Sequence, residues 1–176
     1  MKLILGGARS GKSSKASEIA EEYSEVVYLA TGVPTDEEME SRIARHKEER
    51  PKNWDTIEEP VEIGEKLAGL ESKNFSGAVI LDCLGFWLSN LFREIDRLEE
   101  IDPENFVTEK VRKELQPALD SKYELIIVSN EVGMGVIPGS TAGRRFRDAL
   151  GRANQVVGEM ADDVFLMVAG FKLELK

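Results

Sequence analysis

Short apolar runs alternate with longer amphipathic stretches along most of the chain. Each run has three to five residues and is rich in valine, isoleucine and leucine, a pattern typical of strands buried on both faces of a parallel sheet. Strands that alternate with helices predict an α/β fold with right-handed crossovers. The runs lie at residues 3–5, 26–30, 78–81, 125–128 and 164–168.

The last run is followed by a different pattern. Ala169 and Gly170 predict a tight turn, and residues 171–175 alternate apolar and polar side chains. This alternation predicts an antiparallel edge strand that forms a C-terminal hairpin with the run at 164–168. No internal repeat, low-complexity segment or linker interrupts the chain, so we expect residues 1–176 to form a single domain.

One helix can be delimited from its end signals. Thr35 and Glu38 have the spacing of a capping box, in which a threonine caps the helix and a glutamate three residues later returns a hydrogen bond. Pro51 limits the other end. We therefore expect a helix from about residue 36 to about residue 49. The residues that share one face of this helix are Met39, Ile43 and His46.

Charge and reactive side chains narrow the function. The chain has 23 lysines and arginines against 33 aspartates and glutamates, and its net charge of -10 is unfavourable for non-specific binding to nucleic acid. The one cysteine, Cys83, excludes a disulfide framework and a multi-thiolate zinc site, and we expect it to be buried and inert. No apolar run is long enough for a signal peptide or a membrane span, so we expect a cytoplasmic protein.

A glycine-rich segment follows the first apolar run. Residues 6–13 match the pattern G-x-x-x-x-G-K-S, with a predicted strand before them and a predicted helix, residues 14–23, after them. In this context the glycines let backbone N–H groups turn inward and the helix N-terminus adds its dipole, which favours a phosphate-binding loop over a chance turn. We expect Lys12 to contact the β and γ phosphates and Ser13 to bind Mg²⁺.

A carboxylate ends the apolar run at 78–81. Asp82 is expected at the carboxyl end of its strand, where ligands bind in open α/β sheets. There it would contact the Mg²⁺ ion directly or through water. The alternative is that Asp82 only caps the helix that starts near Leu84, but a phosphate loop requires an acidic partner for its metal, which favours the first role.

The one histidine lies in a basic segment of an acidic chain. Arg42 and Arg50 lie four residues before and after His46, so the three side chains lie on one side of the predicted helix and could bind a polyphosphate. Nearby cations favour the neutral imidazole, which could attack phosphorus and form a covalent intermediate. The alternative is a core histidine beside arginines that pair with glutamates at helical spacing, and the segment alone favours this alternative.

Several blocks of the chain together resemble one family. They lie at residues 6–13, 28–31, 36–39, 42–43, 46–47, 50–51 and 54, and later at 130–135, 146–148, 151–152 and 154–155. The family is the bifunctional adenosylcobinamide kinase / adenosylcobinamide-phosphate guanylyltransferase of cobalamin biosynthesis. The resemblance covers nearly the whole chain, and the blocks around His46 and at 130–135 are more specific than the phosphate loop.

The resemblance implies two reactions. Members phosphorylate the hydroxyl of adenosylcobinamide with a nucleoside triphosphate, ATP or GTP, and then transfer GMP from GTP to adenosylcobinamide phosphate, which gives adenosylcobinamide-GDP. The histidine that matches His46 carries GMP as a phosphoramidate. The resemblance therefore favours a nucleophilic role for His46 over a core position. His46 and Lys12 are the implied catalytic residues, and Ser13 and Asp82 are the implied ligands of Mg²⁺.

The resemblance also implies the nucleotide contacts, the fold and the assembly. The resemblance implies that the chain has a RecA-like P-loop fold. It also implies assembly into a small ring, typically a homotrimer. This chain departs from some relatives by Arg45 in place of a second histidine, by Asp82 in place of glutamate and by Gly32 in place of serine. The implied nucleotide contacts are Gly6, Gly7, Ala8, Arg9, Ser10, Gly11, Lys12, Ser13, Thr31, Gly32, Val33, Lys47, Glu48, Glu49, Arg50, Glu58 and Asp82.

Three further stretches have open roles. The glycine- and proline-rich segment at 130–139 follows a predicted strand, so it lies near the substrate or is an ordinary loop. Phe86 and Trp87 could contact the corrin ring, fill a subunit interface or pack in the core. The cluster of Arg144, Arg145 and Arg147 could bind phosphate or balance acidic residues on a solvated face.

Two other functions compete with the bifunctional enzyme. One is a P-loop small-molecule kinase in which His46 has a structural role and no nucleotidyl group is transferred. The other is a nucleotide-binding switch or assembly module with slow hydrolysis. Neither predicts a covalent nucleotide on the protein, so α-labelled GTP distinguishes them from the bifunctional enzyme.

Overall fold

The computed structural model describes residues 1–48, 50–94 and 102–176, with Arg42 described by its backbone only. Within these ranges the strands are β1 (Lys2–Gly6), β2 (Val26–Ala30), β3 (Asp55–Glu58), β4 (Ala78–Asp82), β5 (Glu124–Asn130), β6 (Asp163–Val168) and β7 (Phe171–Glu174). The helices are α1 (Lys12–Ala20), α2 (Glu37–Glu48), α3 (Ile63–Ser72), α4 (Leu84–Glu94), α5 (Pro103–Leu119) and α6 (Thr141–Met160).

The strands form one sheet in the order β3-β2-β4-β5-β1-β6-β7. All neighbouring strands are parallel except β6 and β7, which form the C-terminal antiparallel hairpin. The predicted α/β fold with a mostly parallel sheet and an antiparallel edge hairpin is therefore confirmed. Because parallel strands end at the same edge, the carboxyl ends of β1, β5 and β4 lie side by side.

The sheet separates two apolar clusters. One face packs against α3, α4, α5 and α6, and the other packs against α1. Trp87 lies in the first cluster with no exposed surface and donates its indole N–H to the carbonyl of Val61 at 2.8 Å, so its role is core packing. Phe86 is 39% exposed. The thiol of Cys83 is buried, as expected, and burial raises its pKa to about 12.

Strand β3 was not among the strands that the apolar runs predicted. Three of its four residues are exposed, because it is the edge strand beside β2. An edge strand of this kind needs backbone pairing but no burial on both faces, so it has no apolar run to reveal it.

The start of α2 differs from the predicted capping box. The carboxylate of Asp36 accepts a hydrogen bond from the backbone N–H of Met39 at 2.8 Å, so Asp36 caps the helix and the assignment of the cap to Thr35 was wrong. Both residue types are good caps, and the shift by one residue moves Glu38 out of the reciprocal position. At the other end α2 reaches Glu48, and Glu49 lies outside the described residues.

Thr31 joins the carboxyl end of β2 to that of β4. Its backbone N–H donates to the carbonyl of Asp82 at 3.1 Å, and its hydroxyl donates to the carbonyl of Cys83 at 2.8 Å while accepting from the Cys83 N–H at 2.9 Å. The side-chain amide of Asn90 donates to the Thr31 carbonyl at 2.8 Å. Thr31 is fully buried, so these hydrogen bonds fix the backbone on both sides of the Asp82 carboxylate.

No helix in the described residues is both long and apolar enough to cross a membrane.

Replacing Thr31 by valine is expected to lower the free energy of unfolding by at least about 2 kcal/mol, because the N–H and carbonyl of Cys83 would lose their buried partner. Urea unfolding measures this change. Thr31→Ser is the matched control, since it keeps the hydroxyl and loses one methyl group, worth about 1 kcal/mol. Equal unfolding free energies for Thr31→Val and the wild-type protein would contradict the role of the hydroxyl.

Candidate active site

The phosphate loop, residues 6–13, connects β1 to α1 by a tight turn. Gly11 has φ of 98° at the start of α1, a left-handed conformation that favours glycine. At Gly6 a Cβ atom would lie 2.5 Å from the Ser10 hydroxyl and 2.6 Å from the Met167 carbonyl, so no larger residue fits there. Helix α1 begins at Lys12 and ends at Ala20, whereas the sequence pattern predicted a helix over residues 14–23.

The N-terminus of α1 has no side-chain cap. The first N–H groups of a helix have no partner within the helix, and together with its dipole they form a binding site for an anion. Gly7, Ala8 and Arg9 are exposed above this site. Ser10 is buried, and its hydroxyl makes no hydrogen bond to any described residue. The arrangement suits a phosphate group that accepts several hydrogen bonds at once.

Lys12 is 8% exposed, and its ammonium donates to the carbonyl of Gly7 at 2.7 Å. The side chain therefore folds back over the phosphate loop instead of extending into solvent. Burial lowers the pKa of Lys12, while the nearby Asp82 carboxylate acts in the opposite direction. A bound phosphate can take the place of the Gly7 carbonyl as partner of the ammonium.

Asp82 connects the phosphate loop to β2. One oxygen of its carboxylate accepts from the hydroxyl of Ser13 at 3.0 Å and from the hydroxyl of Tyr28 at 2.5 Å. Burial raises the pKa of Tyr28 far above its ordinary value, and the charge of Asp82 adds to this shift, so the phenol stays protonated and donates. The helix-cap alternative for Asp82 has no support, because its carboxylate bonds to these two hydroxyls.

His46 is exposed on α2 and faces α1 across a cleft that reaches the phosphate loop at Ser13. This observation excludes the core-histidine alternative. The cleft has a volume of about 330 Å³. It is lined by Ser13, Ser14, Ser17, Glu18, Glu21, Tyr28, His46 and Arg50. The single imidazole and the N-terminus of α1 therefore open into the same space.

Arg50 borders both this cleft and a second one. Its guanidinium carbon lies 3.7 Å from the centre of the Tyr28 ring, a cation–π contact. Its Nε and Nη1 atoms are buried and make no hydrogen bond to any described residue. A buried guanidinium with unused donors is suited to an anionic ligand such as a phosphate.

The second cleft is lined by four of the predicted nucleotide contacts, Lys47, Glu48, Arg50 and Glu58. It has a volume of about 450 Å³, and the Lys47 ammonium forms an ion pair with the Glu58 carboxylate at its wall. Trp54 gives the cleft an aromatic surface. The residues that line it are Lys47, Glu48, Arg50, Pro51, Lys52, Trp54, Thr56 and Glu58.

Among the predicted contacts outside the phosphate loop, Thr31, Gly32 and Val33 line neither cleft, and Glu49 lies outside the described residues. The hydroxyl of Thr31 is buried and already bonded to Cys83, so it faces no cleft. Gly32 lies between Ile43 of α2 and Phe86 of α4, and Val33 beside it is partly exposed. Glu49 lies outside the described residues, as does the side chain of Arg42.

Tyr28 had no assigned role in the sequence analysis. It is an aromatic hydroxyl within an otherwise aliphatic strand, and a buried tyrosine hydroxyl normally requires a partner. That requirement is a usable signal, but it does not identify Asp82, which is 54 positions away in the chain. Trp54 belongs to the matched blocks, and its position in the wall of the second cleft was not predicted.

The segment at 130–139 begins directly beside the phosphate loop, since Asn130 lies opposite Gly6 in the sheet register. Beyond it Met134, Val136 and Ile137 are exposed. The arginine cluster that follows has local partners. Arg144 donates to the carbonyls of Pro138 and Gly139, and Arg147 pairs with Asp148 at 2.7 Å.

A divalent metal would be held by few protein atoms. The described residues contain no group of three or more histidine, cysteine, aspartate or glutamate side chains that could hold an ion. Ser13 and Asp82 nevertheless place a hydroxyl and a carboxylate oxygen 3.0 Å apart beside the phosphate loop. Oxygen ligands of this kind suit Mg²⁺, which takes its remaining ligands from nucleotide phosphates and water.

The fold has a solved counterpart. An ATPase from the type III secretion system of pathogenic bacteria matches with a TM-score of 0.56 and 11% identity, covering 98% of this chain and 56% of that chain. At this identity the match concerns the fold alone, and it confirms the expected P-loop architecture.

Sequence relatives match along nearly their whole length. The bifunctional adenosylcobalamin biosynthesis protein CobP of Pseudomonas aeruginosa is 40% identical over 176 residues, covering 99% of this chain and 96% of that protein. The bifunctional adenosylcobalamin biosynthesis protein CobU of Escherichia coli K12 is 33% identical over 184 residues, covering 100% and 99%. Residues 2–175 match the family described as cobinamide kinase / cobinamide phosphate guanyltransferase. The resemblance seen in the sequence is thereby confirmed, and the chain belongs to this family.

Proposed function

We propose that the chain catalyses two successive group transfers in adenosylcobalamin biosynthesis. It phosphorylates adenosylcobinamide with a nucleoside triphosphate, and it then transfers GMP from GTP to the product through a guanylylated His46. Family membership supports the pair of activities. The observation that supports the role of these particular residues is the cleft into which both His46 and the N-terminus of α1 open.

In the kinase step the phosphate loop holds the nucleotide and Lys12 stabilises the negative charge of its β and γ phosphates. The substrate hydroxyl oxygen forms a bond to the γ phosphorus, and the bond from that phosphorus to the β–γ bridging oxygen breaks. The nucleoside diphosphate leaves and the hydroxyl proton passes to solvent. The Lys12 ammonium, 2.7 Å from the Gly7 carbonyl, already lies over the loop where these phosphates would bind.

In the second reaction His46 is the nucleophile. A nitrogen of the neutral imidazole forms a bond to the α phosphorus of GTP, pyrophosphate leaves, and the imidazole proton passes to solvent. A phosphate oxygen of adenosylcobinamide phosphate then attacks the same phosphorus, and the N–P bond breaks to release adenosylcobinamide-GDP. Arg50 and Lys47, which line the adjoining cleft, supply positive charge near the reacting phosphate.

We propose that Ser13 and Asp82 hold a Mg²⁺ ion. The two oxygens are close enough to share one cation, and the ion would neutralise charge on the transferring phosphoryl group. Tyr28 keeps the Asp82 carboxylate aimed at Ser13 by its hydrogen bond. Of the other proposed nucleotide contacts, residues 6–12 belong to the phosphate loop, and Lys47, Glu48, Arg50 and Glu58 line the second cleft.

We also propose that residues 1–176 act as a single nucleotide-binding domain in the cytoplasm. Both reactions consume nucleoside triphosphates, which are supplied there. The seven strands of the described residues all belong to one sheet, which supports a single domain.

His46→Ala is expected to abolish covalent labelling of the protein by α-labelled GTP, because His46 is the one imidazole in the chain. The label on the wild-type protein should survive denaturation, be lost in acid and persist in base, as a phosphoramidate does. Phosphorylation of adenosylcobinamide should continue in the variant. Arg45→Ala, at an exposed neighbouring position of α2, is the control and should retain the label. Absence of α label on active wild-type protein would favour the simple kinase.

Asp82→Asn is expected to lower kcat of the kinase step by about 100-fold, because an amide is a poor ligand for Mg²⁺ and loses the negative charge. Tyr28→Phe is the matched variant, since it removes a hydrogen bond to the same carboxylate but leaves the charge, and should cost less than about tenfold. Steady-state kinetics at saturating Mg²⁺ measure both. Equal losses in the two variants, with equal losses in stability, would assign Asp82 a purely structural role.

A homotrimer is the assembly that the family resemblance implies. On this chain the outer edge of β7 pairs with no strand in the described sheet, and Phe171, Leu173 and Leu175 are 80%, 55% and 55% exposed. Such an apolar edge suits contact with a second copy. Light scattering on the protein as it elutes from a size-exclusion column should give three times the mass of one chain. Leu173→Glu should reduce that mass. A monomer at micromolar concentration would contradict the proposal.

A further inference from the structure

Strand β5 lies between the two halves of the proposed kinase site. Its neighbours are β1, which leads into the phosphate loop, and β4, which ends at Asp82. Asn130 is the last residue of β5 and lies opposite Gly6, the first residue of the loop. The topology therefore places one polar residue between the loop that holds phosphates and the carboxylate that is proposed to hold the metal.

Hydrogen bonds on both sides fix the position of Asn130. The N–H of the following residue, Glu131, donates to the carbonyl of Gly6 at 3.0 Å. On α6 the side-chain amide of Asn154 donates to the carbonyl of Asn130 at 3.1 Å and its oxygen accepts from the Ser129 hydroxyl at 2.6 Å. Ser129 and Asn154 are buried, so the end of β5 is held in one place without any ligand.

The side chain of Asn130 is free to bind a ligand. A methyl group on Gly85 would lie 3.6 Å from the Asn130 amide nitrogen, which locates this nitrogen beside the start of α4, just after Asp82. The side chain is half-buried and forms no hydrogen bond within the described part of the chain.

We propose that the Asn130 amide donates a hydrogen bond to an oxygen of the γ-phosphoryl group during the kinase step. This assignment rests on the proposed kinase function. As the γ phosphorus passes from the β–γ bridging oxygen to the substrate hydroxyl oxygen, its other oxygens carry the negative charge, and a fixed donor stabilises them. A neutral amide fits this position, because a second carboxylate beside Asp82 would repel the phosphate.

Nucleotide binding tests the contact directly. Asn130→Ala should bind the triphosphate analogue with an imido group between the β and γ phosphorus about tenfold more weakly than wild-type protein, because a hydrogen bond to a charged group is lost. Its affinity for the diphosphate should change less than about twofold, because the diphosphate lacks the contacted oxygens. Asn105→Ala, at an exposed position on α5, is the control and should change neither affinity. Equal weakening for both nucleotides, or no weakening, would overturn the proposal.

Turnover separates this inference from the proposed function. Asn130→Ala and the isosteric Asn130→Asp should lower kcat for adenosylcobinamide phosphorylation by about 100-fold, with KM for adenosylcobinamide changed less than about threefold. Their urea unfolding should match that of the wild-type protein. If the wild-type protein does not phosphorylate adenosylcobinamide, the proposed function fails. If the wild-type protein is active and Asn130→Ala is equally active, the inference about Asn130 alone fails.

Discussion

The carboxylate of Asp82 is the point on which the site depends. It accepts hydrogen bonds from Ser13 of α1 and Tyr28 of β2, so a single oxygen joins the phosphate loop to the neighbouring strands. The buried hydroxyl of Thr31 bonds to the carbonyl and the N–H of Cys83, and so fixes the backbone next to Asp82. This arrangement requires the parallel sheet, because only strands that end at a common edge bring a loop, a carboxylate and a phenol from distant parts of the chain together.

The second cleft has a small excess of positive charge in an acidic protein. The net charge of -10 would repel a polyphosphate approaching most of the surface, whereas the basic residues Lys47, Arg50 and Lys52 outnumber the acidic residues Glu48 and Glu58 in this cleft. Arg50 is held against the ring of Tyr28, which orients the guanidinium before any ligand arrives. A nucleotide can therefore bind with little ordering of this side chain, which favours affinity.

The features that the sequence predicted are those in which a local pattern has a direct structural cause. Burial on both faces makes a strand continuously apolar, and a phosphate loop needs glycines at fixed positions, so the central strands and residues 6–13 were predictable. Strand β3 was not, because its exposed edge position imposes no pattern. The helix cap shifted from Thr35 to Asp36 because two good caps are adjacent. The Tyr28–Asp82 contact joins residues 54 positions apart, which no local pattern reports.

The helix that carries His46, the proposed nucleophile, is the least anchored part of the site. Among the described residues, α2 contributes no side chain to either apolar cluster, and its Met39 and Ile43 are only half-buried, whereas α1 buries Ala16 and Ala20 completely. A shift of α2 therefore exposes little apolar surface and costs little free energy, while the phosphate loop and α1 stay fixed. Two reactions at different phosphorus atoms of a nucleotide need either two nucleotide poses or a nucleophile whose distance from the phosphate site can change, and the weak packing of α2 favours the second.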